Sequence, residues 1–171
     1  TSFNKVSINS LDMTCEDSVN IKNSNGDLEN IVINNSSYDG LDIDFSKLNI
    51  ENIIVNNAKN DCLDFSFGQY NINNAYLTNC GDKGASIGET SKLNLRQGYI
   101  SQSNIGIASK DNATTDVQKI KIENVNTCLA AYNKKKEFKG SKISINSFNC
   151  SKFKIKKQFD ELSEIFISKE Y

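Results

Sequence analysis

The sequence predicts an all-β chain: a right-handed parallel β-helix, a solenoid of about seven coils with a period of about 22 residues, closed by a short C-terminal helical cap. Three observations carry this prediction. A column of small residues recurs through six successive periods, a second alternating strand recurs in the same register, and no linker interrupts either between residues 1 and 150.

The first strand is seen in Asp39-Gly40-Leu41-Asp42-Ile43-Asp44, which returns one period later as Asp61-Cys62-Leu63-Asp64-Phe65-Ser66 and again as Lys83-Gly84-Ala85-Ser86-Ile87-Gly88. Its small column reads Ser18, Gly40, Cys62, Gly84, Gly106 and Cys128, and an apolar column follows it as Val19, Leu41, Leu63, Ala85, Ile107 and Leu129. The second strand reads Leu28-Glu29-Asn30-Ile31-Val32-Ile33, then Ile50-Glu51-Asn52-Ile53-Ile54-Val55, then Ile72-Asn73-Asn74-Ala75-Tyr76-Leu77, and is followed by Asn35, Asn57 and Asn79. Both alternate apolar and polar residues with the period-two pattern of a strand. A unit this short cannot bury its apolar face alone; stacking the units creates a continuous core. A side-chain amide both donates and accepts, so the Asn column predicts a hydrogen-bonded ladder along the axis. Phe45, Phe65 and Phe67 are expected as core stacking, and Tyr38 and Tyr132 as possible sugar platforms.

The tail departs from the repeat. Residues 152–157 are basic, and Phe159, Leu162 and Ile165 have the spacing of a short amphipathic helix. The reading is a β-helix over 1–150 and a capping segment over 151–171 that hides the open sheet edge, in one domain of a longer chain with flanking domains.

Composition narrows the chemistry. The 171 residues carry a formal net charge of −1, which gives no basic excess for nucleic acid, and no apolar run is long enough for membrane insertion. Histidine is absent, which removes His-based triads and imidazole metal ligands. The five cysteines form no CxxC pair, so neither a zinc site nor a disulfide framework is expected, and they read as small core residues. The Lys134-Lys135-Lys136 run reads as a solvated loop, with contact to an anionic partner as the alternative.

Alternation fixes the outer face. With Leu41 and Ile43 inward, Asp42 and Asp44 point outward, and the outer columns become Asn20, Asp42, Asp64, Ser86, Ala108, Ala130 and Lys22, Asp44, Ser66, Gly88, Lys110, Tyr132. Asp39, Asp42, Asp44, Asp61 and Asp64 thus crowd two adjacent coils beside Lys83 and Lys110. Like charges about 5 Å apart repel by roughly 1 kcal/mol in water and by more in a drier groove. The cluster admits a bridging Ca²⁺ on Asp42 and Asp64, a protonated carboxyl acting as general acid, or a wet, screened wall. No cofactor is required; Ca²⁺ is the one candidate ion. The region of Gly88, Ala108 and Ala130 is expected to be bare enough for a flat substrate.

At these residues the chain resembles the pectin-lyase-like β-helix superfamily, and within it the polygalacturonase-type glycoside hydrolases. Those enzymes carry Asn-Thr-Asp-Gly, then Gly-Asp-Asp-Cys one coil later, then Gly-His-Gly and Arg-Ile-Lys. The matching stretches here are Ser37-Tyr38-Asp39-Gly40, Lys59-Asn60-Asp61-Cys62, Asp82-Lys83-Gly84 and Ala108-Ser109-Lys110, in register over about residues 36–111. The resemblance implies water-activating roles for Asp39 and Asp61, substrate binding by Lys110, and an extracellular or cell-surface location. Three positions depart from it: Asn60 stands for the general acid, Lys83 for the His and Ala108 for the Arg. An amide cannot supply the proton of an acid. Gly81 to Glu89 also resembles repeats in β-helix domains of large bacterial surface proteins.

Two readings follow. In one, the chain is a non-catalytic module, a pseudoenzyme, that binds a polysaccharide or oligosaccharide or spaces other domains. In the other, it cleaves polysaccharide as a hydrolase or Ca²⁺-dependent lyase through the catalytic candidates Asp39, Asp61, Asp64 and Lys110, with Asp42, Asp44, Lys83, Ser86 and Tyr132 contacting substrate and Lys83 or Lys110 as the lyase base.

Overall fold

In the computed structural model, which describes residues 2–10 and 15–171, successive coils stack into a parallel β-solenoid. The strands are β1 (Ser2–Phe3), β2 (Val6–Asn9), β3 (Asp17–Lys22), β4 (Asn25–Ser36), β5 (Asp39–Asp44), β6 (Lys47–Ala58), β7 (Leu63–Ser66), β8 (Gln69–Gly88), β9 (Lys92–Lys110), β10 (Thr114–Tyr132), β11 (Lys142–Phe159) and β12 (Glu164–Glu170). One ladder runs β4-β6-β8-β9-β10-β11-β12, and a second runs β3-β5-β7-β8. Every pairing is parallel, and the register follows the sequence period: Val19 lies beside Leu41, then Leu63, Ala85, Ile107 and Leu129. The step lengthens between β10 and β11, where Thr114 pairs with Lys142 to accommodate the loop 133–141.

The inward columns form one continuous core, including Leu41, Ile43, Ile53, Val55, Leu63 and Phe65. The small column has a steric cause. A Cβ on Gly106 would lie 2.9 Å from Ile122 Cδ1 across the coil and 2.6 Å from the Cys128 carbonyl oxygen. One coil on, Cys128 occupies the Gly106 column and Cys150 the Ile122 column, and the two are joined as a disulfide. A second disulfide joins Cys62 to Cys80, and Cys15 is free and exposed. The cysteines Cys62, Cys80 and Cys128 are buried as expected, but the expectation of unpaired thiols is corrected: the narrow gap between facing columns brings sulfurs together.

The corners are set by left-handed backbone. One corner column is Asn35, Asn57, Asn79, Gln102, Asn124 and Lys152, each with φ between 54° and 68°. Asn tolerates this region because its short polar side chain can bond locally, so the Asn column meets a backbone demand as well as forming a ladder. The ladder itself is present: Asn79 donates to Asn57 at 2.8 Å and Asn57 to Asn35 at 2.7 Å. A second corner column holds Asn23, Phe45, Phe67, Glu89 and Asp111, also at positive φ. This corrects the placement of Phe45 and Phe67. The left-handed corner turns both side chains outward, where they are 55% and 38% exposed and stack on each other at 4.7 Å. Phe65 is in the core as expected.

The predicted helical cap over residues 158–165 does not form. β11 continues through the proposed boundary at residue 150 to Phe159, a turn follows, and β12 pairs with the start of β11. Ile165 and Ile167 fall beside Ile143 and Ile145 and extend the core columns, while Ser163 Oγ accepts the Ser141 N–H at 2.9 Å. The helical spacing of Phe159, Leu162 and Ile165 is outweighed because a strand here both completes backbone pairing and extends the core. Phe159 and Leu162 remain exposed.

Candidate functional site

The sequence-predicted residues lie on the outer face and corner of the β3-β5-β7-β8 ladder and its continuation into β9 and β10. The structure divides them into three groups.

Asp39 and Asp61 stand at the entry of the strands and are buried, at 5% and 2% exposure. Asp39 Oδ1 accepts the backbone N–H of Asp61 at 2.7 Å and the Asn60 side-chain amide at 2.8 Å. Asp61 Oδ1 accepts the backbone N–H of Lys83 at 2.9 Å and is paired with Lys83 Nζ at 3.4 Å. The two carboxylates therefore satisfy backbone donors of the next coil at a corner where strand pairing is interrupted. Burial raises both pKa values, that of Asp61 to about 6 against the pull of Lys83.

Asp42, Asp44 and Asp64 are partly exposed and form the acidic part of the face. Asp42 and Asp64 are register partners on β5 and β7. Asp42 accepts a hydrogen bond from Asn20, and Asp44 pairs with Lys22 at 3.2 Å. Burial, reinforced by the charges of Asp44, Asp17 and Asp64, pushes the Asp42 carboxyl up to about 7. Among the described residues no group of three or more acidic, Cys or His side chains is placed to hold a metal ion.

The third group closes the face. Ser86, Gly88, Ala108, Lys110 and Ala130 are all buried. The expected bare platform is therefore corrected: the Lys110 chain lies over Gly88, its Cε 3.6 Å from where a Cβ would stand. Tyr132 is partly buried, and its hydroxyl is near enough to Lys83, Asp82 and Asp61 to feel their charges. Ser86 Oγ is buried without a hydrogen-bond partner among the described residues. Burial acts to lower the Lys83 pKa, but Asp61 and Asp82 outweigh it and the net shift is upward. That is opposite to the shift a lysine base requires.

Asp39 and Asp61 thus share a corner, close enough to Asp64 on the strand face for its charge to act on both, whereas Lys110 lies on a later coil with its chain folded over Gly88. The Lys134-Lys135-Lys136 loop is exposed as expected, and its backbone is anchored by Asp111, whose Oδ1 accepts the N–H groups of Lys134 and Lys135 at 2.6 and 2.8 Å. Tyr38 is exposed. Sequence reasoning missed the pairing of Tyr76 with Tyr99, whose rings stack at 4.8 Å on the other ladder. The signal was available: both occupy the outward column that contains Val32 and Ile54, once the extra residue between β8 and β9 is allowed for.

Comparison of the chain with protein-family models, curated proteins and solved structures returns no match, so the likeness to polygalacturonases rests on the motif residues alone.

Proposed function

We propose that the chain is a non-catalytic β-helix module of a larger surface or secreted protein, binding polysaccharide or holding other domains apart. The observation that supports this reading best is the engagement of Asp39 and Asp61. Each carboxylate is buried and accepts a backbone N–H of the following coil, a role in the solenoid itself. Asn60 stands at the general-acid position and donates its amide to Asp39. The disulfides Cys62–Cys80 and Cys128–Cys150 favour an oxidising compartment, in keeping with a secreted or surface protein.

One observation favours the enzymatic alternative. Asp42, pushed up to about 7, neighbours Asp64 on a partly exposed face, an acid beside a second carboxylate. Paired carboxyl groups of unlike protonation are what glycoside hydrolysis uses. The deciding experiment is incubation with neutral and acidic polysaccharides, with reducing ends and unsaturated products both measured. The module reading expects neither product. Product release that Asp42→Asn or Asp64→Asn abolishes, with folding intact, would overturn it.

A further inference from the structure

We propose that the outer face of β4, β6, β8 and β9 around Tyr76 and Tyr99 is a binding site for an uncharged saccharide chain. The proposal rests on the module reading and gives it a ligand class and a place.

A groove of about 440 Å³ runs along this face. Its walls include Asn52, Asn74 and Gln97 on one side and Ile54, Tyr76 and Tyr99 on the other, and none of its lining side chains is charged. The volume falls within the range of ligand pockets, about 300–1,000 Å³. Tyr76 is 47% exposed. Its stacking on Tyr99 fixes it, and Tyr99 is held in turn by donating its hydroxyl to Glu123 at 2.5 Å with Lys121 Nζ over its ring at 5.5 Å. On the side turned away from Tyr99 the register neighbour of Tyr76 is the shorter Ile54, and no aromatic or cationic partner meets that face of the ring among the described residues.

The amide wall is equally ordered. Asn52 donates to Asn30 at 3.0 Å and accepts from Asn74 at 2.9 Å. A primary amide has two N–H donors, so the ladder fixes the orientation of Asn52 and leaves one donor for a ligand. The ligand that suits such a groove has apolar C–H faces for the tyrosine and hydroxyls for the amides, and a saccharide carries both. Charge decides the kind of saccharide. Glu29, Glu51 and Asp27 line the adjoining groove, and the lysine over Tyr99, Lys121, is already paired with Glu123 at 2.8 Å, so an acidic chain meets carboxylates at that end and finds no cation in the groove lining. Coils repeat about every 4.8 Å, and Asn30, Asn52, Asn74 and Gln97 follow one another in register, so the face offers amides at regular intervals to a repeating polymer.

The test is affinity electrophoresis of the 171-residue chain through gels containing hydroxyethylcellulose, xyloglucan, galactomannan or dextran, with polygalacturonate as the acidic comparison. At least one uncharged polymer is expected to retard the wild type. Tyr76→Ala is expected to weaken that retardation roughly tenfold or more, the loss typical of an aromatic anchor. Tyr76→Phe should keep most of it, and Phe166→Ala, at an exposed ring elsewhere, should change nothing. Melting curves establish that each variant is folded. Retardation by no uncharged polymer, by polygalacturonate alone, or equally in wild type, Tyr76→Ala and Tyr99→Ala would overturn the proposal. Release of reducing ends from a retarding polymer would instead overturn the non-catalytic reading and leave the binding site standing.

Discussion

The carboxylate of Asp39 accepts the backbone N–H of Asp61 at 2.7 Å, and the motif repeats one coil later when Asp61 accepts the N–H of Lys83 at 2.9 Å. The residues that the polygalacturonase resemblance marks for water activation thus serve the solenoid. Removing the acceptor leaves a buried N–H unpaired, which costs about 1–3 kcal/mol. Asp39→Ala should lose that much stability. Asp39→Asn keeps an acceptor oxygen and sheds a carboxylate whose pKa burial has raised, so it should stay within about 1 kcal/mol of wild type. Denaturant unfolding of the three proteins checks this; equal losses in both variants would mean that charge, not the hydrogen bond, holds the corner.

Asp42 gives a pH dependence of opposite sign to that of an ion-paired carboxylate. Its pKa rises in the folded chain from 3.8 to about 7, so the folded state binds the proton more tightly than the unfolded state. The stability it contributes is complete below about pH 4 and is lost as pH rises towards about 7. Asp42→Asn should flatten this slope and be the more stable protein at about pH 8, by roughly 1 kcal/mol once solvent screening of a half-exposed group is allowed for. Melting curves across that range decide it. Added Ca²⁺ supplies a second readout: a melting temperature that Ca²⁺ raises in wild type but not in Asp42→Asn/Asp64→Asn would restore the metal site.

Cys128 and Cys150 occupy the same facing columns that Gly106 and Ile122 fill one coil earlier. The cross-link therefore spans the same gap that holds a glycine opposite a large side chain at Gly40, Gly84 and Gly106. Each disulfide closes a short loop of 18 or 22 residues. Constraining such a loop is worth about 3 kcal/mol. Cys128→Ser/Cys150→Ser should lose about that much, and reduction of the wild type should lower its melting temperature. Mass spectrometry after alkylation without reduction should find Cys15 modified and the other four cysteines protected.

The repeat was legible because stacking makes every coil report the same geometry. The Gly40, Cys62, Gly84 column and the Leu41, Leu63, Ala85 column follow the observed register. What the sequence hid lies between columns or at the ends. Cys128 faces Cys150 only because two sheets approach across the interior, a relation the period alone does not give. Phe45 and Phe67 have core composition but sit at left-handed corners that turn them outward. The tail has helical spacing at Phe159, Leu162 and Ile165, yet backbone pairing with β11 takes precedence. At the site, alternation correctly placed Ser86 and Ala108 on the outer side but could not show that Lys110 and its neighbours close that side from solvent.

Asn57 separates the two reasons for an asparagine column. Its φ is 68°, and its amide bridges Asn35 and Asn79. A non-glycine residue in left-handed conformation costs roughly 1–2 kcal/mol, a strain Asn partly relieves and Gly does not feel. Asn57→Ala should therefore lose both the ladder bonds and the conformational relief, about 2 kcal/mol in total, whereas Asn57→Gly should lose only the ladder, about 1 kcal/mol. Alanine is the safer replacement for glycine in most strands, so a less stable alanine variant would be a signature of the corner backbone. Equal losses in chemical denaturation would assign the column to the ladder, and a more stable alanine variant would refute the corner argument.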